Sequence, residues 1–107
     1  MSFDIHLEID TGGPEPAQVC EVGNMTWNVD PMYVRAMGIS LSELDGRIAG
    51  DVMAHLRTGL TNMEDCPDIY KEMNPPNGWG DYHSALKYLQ EITHACAQHP
   101  RATIRVC

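Results

Sequence analysis

The chain has 107 residues, with seven Lys or Arg against fifteen Asp or Glu, for a formal net charge of −8. The length suits one domain, residues 1–107, with a core of modest size. Six acids (Asp4, Glu8, Asp10, Glu15, Glu21, Asp30) and no Lys or Arg fall in the first 34 residues. Such a field repels nucleic-acid phosphates and anionic membranes, so it argues against direct nucleic-acid binding and points to a basic protein surface or a cation.

Phe3 to Asp10 alternates strictly, with Phe3, Ile5, Leu7 and Ile9 on one side and Asp4, His6, Glu8 and Asp10 on the other, which predicts a half-buried strand with an acidic outer face. Thr11 to Pro16 is turn material. A second strand is expected from about Gln18 to Asn28. Cys20 and Val22 set an even-numbered apolar face, and Met25, Trp27 and Val29 an odd one; a bulge at Gly23 reconciles them, because one extra residue reverses the alternation. Beyond Gly23 the opposite face then reads Asn24, Thr26, Asn28.

Pro31, with Asp30 as N-cap, predicts a short helix over Met32–Met37, stopped by Gly38. A short turn follows over Ser40–Asp45. Ile48, Val52, Met53, Leu56, Leu60 and Met63 recur at helical spacing, interrupted by Gly50 and Gly59, and Pro67 starts a brief turn. Met73 to Tyr82, with two prolines, Asn77-Gly78 and Trp79, forms a rigid corner. The clearest helix comes next, with Tyr82, Leu86, Leu89, Ile92, Ala95 and Cys96 as its buried stripe and His99-Pro100 as its end. Ala102–Val106 reads as a last strand; paired with the first, it sets Arg105 across from the acidic face. The fold class expected is α+β: a small, largely antiparallel sheet of about three strands, covered on one face by two longer helices and short helical turns.

Four stretches together resemble a family of small uncharacterised proteins of bacteriophages, prophages and actinobacteria. They are Ser2-Phe-Asp-Ile5, Val22-Gly-Asn-Met-Thr-Trp-Asn-Val29, Leu44-Asp-Gly46, and Asn74 to Tyr82 with Ala85-Leu86 and Leu89. The resemblance brings no catalytic residue or substrate; it implies a host-directed role.

Two surfaces stand out as candidate sites. Asn24, Thr26 and Asn28 lie about 7 Å apart in succession on an extended strand, a spacing suited to reading a polar ligand edge. Asn77, Trp79 and Tyr82 could add a stacking surface. Equally, Trp79 could plug the space between sheet and helices. The other surface, Asp4, Glu8 and Asp10, suits a basic partner. Side chains on one face of an extended strand do not converge, so no metal is expected there, and no cofactor elsewhere. The four cysteines form no CxxC pair and are expected to be reduced, mostly buried. Cys96 falls on the buried stripe, and Asp81 and His83 would make an acid–base pair only in a pocket. No G-x-S-x-G, P-loop, H-E-x-x-H or dinucleotide fingerprint occurs. Met1 to Glu8 has neither the basic nor the apolar region of a signal peptide, and no apolar run approaches the ~18 residues of a membrane span. A cytoplasmic protein is therefore expected, in the host cytoplasm if phage-encoded. The leading expectation is a non-enzymatic intracellular module that binds a protein partner through its acidic surface, as an inhibitor or anti-defence protein would. The alternatives are a sponge for a nucleotide-type signal beside Asn24, Thr26, Asn28 and Trp79, and a small enzyme of unknown reaction.

Overall fold

In the computed structural model, which describes residues 2–107, three strands form an open antiparallel sheet in the order β2-β1-β3. They are β1 (Ser2–Ile9), β2 (Ala17–Thr26) and β3 (Thr103–Val106). Between β2 and β3 run α1 (Asp30–Met37), α2 (Met53–Asp65), α3 (Pro67–Lys71) and α4 (Tyr82–Gln98), with 3-10 turns at Trp27–Val29, Leu41–Leu44 and Ala49–Val52. The α+β class and the antiparallel sheet match the reading of the sequence. The second strand ends at Thr26 rather than Asn28, because Thr26 caps the 3-10 turn that follows: its Oγ1 accepts from the Asn28 N–H.

Gly23 takes φ +95° and pairs with Ile5, while the next pair is Glu21 with His6, leaving Val22 as the extra residue. This is the expected bulge. A second, at Val19 between the Cys20–Leu7 and Gln18–Glu8 pairs, had no signal in the alternation. Bulges twist a strand and interrupt its outer row of backbone groups, which makes β2 a poor template for pairing with other chains. The β3 edge is closed differently. Gly46 N–H donates to the Ile104 carbonyl at 2.7 Å, Ile104 N–H to that of Arg47 at 2.8 Å, and Ala49 N–H to that of Ala102 at 2.8 Å.

Phe3, Ile5 and Leu7 face the core with Ile104. Helix α4 is the helix packed on β2, and α2 packs mainly against α1 and α4. The buried stripe of α4 is Tyr82, Ala85, Tyr88, Leu89, Ile92, Ala95 and Cys96; Ala85 and Tyr88 take the place expected for Leu86, which is only half-buried. Three tyrosines tie α4 to the rest by donating to backbone carbonyls. Tyr33 bonds Ala85 at 2.8 Å, Tyr82 bonds Met63 at 2.6 Å, and Tyr88 bonds Gly23 at 2.9 Å. Burial pushes the phenol pKa of all three upward. Each ring fills core space while its hydroxyl satisfies a carbonyl of a neighbouring element. Gly59 explains itself here: a Cβ at that position would overlap the Met37 side chain, so the glycine lets α1 and α2 close together.

Candidate functional site

Of the expected ligand row, only Asn24 stays on the strand as an exposed residue. Thr26 Oγ1 accepts from both the backbone N–H and the Nδ2 of Asn28, at 3.3 and 3.0 Å. Those two side chains are thus engaged in the cap: Thr26 closes β2, and Asn28 lies beyond the strand. Trp27 is the corresponding correction. Read from sequence as an inward strand residue, it starts the 3-10 turn instead, with 45% of its surface exposed. Its ring lies 5.5 Å from that of Phe3, tilted by 34°.

The Met73–Tyr82 corner divides into parts with different duties. Asn74 Oδ1 accepts from the Tyr82 N–H at 2.8 Å, Asn77 Oδ1 accepts from the Trp79 N–H at 3.0 Å, and Asp81 caps α4 by accepting from the Ser84 N–H at 2.8 Å. Those bonds from Ser84 hold the Asp81 carboxyl below its ordinary value. Tyr82 is a core residue, 4% exposed, with its ring edge-on to His83 at 5.4 Å. Trp79 is 66% exposed and plugs nothing. The tight packing belongs to Gly80: at φ +89°, a Cβ there would stand 2.7 Å from both Thr26 Cγ2 and Val29 Cγ1. The two unusual segments of the sequence therefore do meet, through backbone rather than through the indole. Adding that contact to one Cα–Cα step on each side puts the Trp27 and Trp79 Cα atoms within about 14 Å of each other.

The helices leave the opposite face of the sheet uncovered. Asp4, Glu21 and Asp10 are exposed there and at the hairpin, and Glu8 is half-exposed. His6 Nε2 lies 2.8 Å from Glu8 Oε1. Arg105 sits opposite His6 in register, as expected, with its Nε 3.8 Å from Glu8 Oε1 and 3.7 Å from Asp45 Oδ1. Asp45 Oδ1 also accepts from the Val106 N–H at 2.9 Å. Asp10 Oδ1 accepts from the Gly12 N–H in the turn. Among the described residues no three His, Cys, Asp or Glu converge as a metal would require.

Three surface cavities among the described residues bear on the candidate sites. One, about 470 Å³, runs between β2 and α4 and is walled by Cys20, Val22, Lys87, Glu91 and His94 among others. A smaller one, about 200 Å³, continues it past Lys87 and Glu91 to Asn24 and Tyr88. The remaining one, about 360 Å³, lies beside Phe3 and Trp27. None of the three takes a wall from Thr26, Asn28, Asn77, Trp79 or Tyr82. The Trp27 corner had no sequence signal, because the residues that shape it, Asp30, Ser40 and Ser42, come from two later segments.

The four thiols are free, but fewer are buried than expected: Cys96 is buried, Cys20 half-buried, and Cys66 and Cys107 exposed. Burial pushes the Cys96 thiol up to about 11, the wrong direction for a nucleophile. Asp81 and His83 are both exposed, and Asp81 is occupied as a cap. No helix among the described residues is long and apolar enough to cross a membrane. Compared with protein-family models, curated proteins and solved structures, the chain has no match.

Proposed function

We propose that this protein is a non-enzymatic module that binds a protein partner, docking a basic surface onto the uncovered acidic face of its sheet. The observation that carries this role is the charge on that face: Asp4, Glu8 and Glu21, with Asp45 at the β3 edge, against Arg105, which pairs with Glu8 and Asp45 alone. Arg105 and His6 engage Glu8 in part, and Asp4 and Glu21 remain exposed. A carboxylate field of this kind raises the encounter rate with a basic surface and selects against acidic ones. The host-directed, phage or prophage setting that the sequence resemblance suggests is compatible with such a role and adds no partner to it. The sponge alternative draws less support, since its residues do not surround one space.

The test is a binding assay with an arginine-rich peptide as probe. Removing charge at Asp4, Asp10 and Glu21 together (D4N, D10N, E21Q) should weaken binding at least about tenfold, and raising salt from about 0.05 to 0.5 M should do likewise. Binding that survives both changes would remove the acidic face from the account.

A further inference from the structure

The cavity of about 360 Å³ at the end of the sheet is lined by Phe3, Trp27, Asp30, Pro31, Ser40 and Ser42. One wall is aromatic, made by the tilted Phe3–Trp27 pair. The other is polar, and its hydrogen bonds can be assigned a direction. Asp30 Oδ2 accepts from the Ser40 hydroxyl at 2.7 Å and Oδ1 from the Leu41 N–H at 3.2 Å. A hydroxyl has one proton. That of Ser40 is committed to Asp30, so across the 3.0 Å Ser40–Ser42 contact it is the Ser42 hydroxyl that donates. Both serine protons therefore point into the network, and lone pairs are left over.

The backbone donors nearby are used as well. The Asp30 N–H bonds the Trp27 carbonyl, the Ser40 N–H bonds the Glu43 carboxylate at 2.7 Å, and the Ser42 N–H bonds Ser40 Oγ at 3.2 Å. Pro31 has no N–H to offer. What the polar wall has left is acceptor capacity: the remaining lone pairs of a carboxylate and a hydroxyl. The aromatic part of the lining is Phe3 and Trp27, of which Trp27 is the exposed ring.

We propose that this corner is a subsite for an organic cation that carries N–H donors, and that its occupant is an arginine side chain of the partner. The cation chemistry follows from the cavity itself, whereas the choice of occupant rests on the partner-binding role above. A guanidinium is planar, offers five donors and no acceptor, and stacks on aromatic rings. A phosphate or carboxylate would set acceptor against acceptor. A quaternary ammonium could use the rings but would leave the Asp30 and Ser42 lone pairs unmatched.

The experiment uses the Trp79→Phe chain, in which Trp27 is the sole tryptophan reporter. Titration with Nα-acetyl-arginine amide should give a saturable change in Trp27 emission with Kd of about 1–10 mM. The neutral citrulline analogue and tetramethylammonium should bind at least about tenfold more weakly. Amide shifts of Leu41 and Ser42 provide a second readout that does not need the indole. Equal response to arginine and citrulline, or no saturation, overturns the proposal. An arginine-rich peptide then separates the two claims. Weakening by Trp27→Leu or Ser42→Ala, with the sheet acids intact, supports the subsite and its occupant. Loss of peptide binding only on removal of the sheet charges overturns the subsite and leaves the partner role standing. Saturation by the arginine amide with no peptide binding supports the cation subsite and overturns both its occupant and the partner role.

Discussion

Trp27 and Trp79 flank the two residues, Thr26 and Gly80, at which their segments touch, and yet the fold treats them differently. Trp79 stands 66% exposed on a loop whose close contact is made by the neighbouring glycine. Trp27 is less exposed, leans on Phe3 and forms one wall of a cavity closed by Asp30 and the serines. Trp79 thus sits beside a clamp made by its glycine neighbour, whereas Trp27 shapes a space. A loop that looks like a binding site from its composition can be rigid because it fastens two elements together. A cavity can arise where a capping network from elsewhere in the chain adjoins an aromatic pair.

The clamp can be broken most directly at Gly80. Gly80→Ala combines a left-handed φ with contacts to Thr26 and Val29 that are too short for a Cβ, and should cost about 3 kcal/mol in chemical denaturation. Gly78→Ala supplies the control, because Gly78 also has positive φ but meets nothing within 4 Å; it should cost about 1 kcal/mol. Equal costs at the two glycines would mean that the junction is held by the turn and not by packing. The tryptophans themselves come next. Trp27→Ala should lose about 2 kcal/mol from its contact with Phe3. Trp79→Ala should stay within about 0.5 kcal/mol of the parent, as exposed substitutions do. A larger loss at Trp79 would reverse the comparison.

The same contrast explains what could be read from the sequence. Strict alternation from Phe3 to Asp10 located β1 and its acidic face, and the parity switch between Val22 and Met25 located the bulge at Gly23. Those are local signals with a fixed period; the pairing of β3 with β1, on which the place of Arg105 depended, is non-local and comes from the fold. The Trp27 corner depends on Asp30, which the sequence suggested as the N-cap of α1. In the fold Asp30 instead bonds Ser40 and Leu41, ten and eleven residues further on. Its carboxylate serves a capping network outside its own helix, where Ser40 and Glu43 form a capping box. No periodicity announces such a bond. The roles of Tyr33 and Tyr88 were hidden for the same reason: a hydroxyl that satisfies a carbonyl 52 or 65 residues away leaves no trace in a helical stripe.

Tyr82 tests which half of the Trp79 corner is structural. Tyr82→Phe keeps the ring and removes only the bond to Met63, so it should cost about 1 kcal/mol and leave binding of an arginine-rich peptide unchanged. Loss of binding without loss of stability would return Tyr82 to the candidate site, despite its burial.

The smallest effect belongs to the end of the corner, where Asp81 opens α4. Bonds from Ser84 lower its carboxyl below the ordinary value of 3.8, so the folded state favours the carboxylate. The sign follows from linkage. A group depressed on folding contributes stability that is fully present above its unfolded value and is lost as pH falls through the folded one. Asp81 is exposed, which keeps this contribution small and sensitive to salt. Asp81→Asn retains an N-cap acceptor but has no charge to lose. It should therefore be less stable than the parent by about 0.5 kcal/mol near neutral pH, where the carboxylate also meets the positive end of the helix. As pH falls through the depressed value of the folded Asp81, its cap also becomes neutral and the gap should narrow. Denaturation curves of the two chains across that range provide the check, and a gap that persists in acid would show that the cap acts by geometry alone.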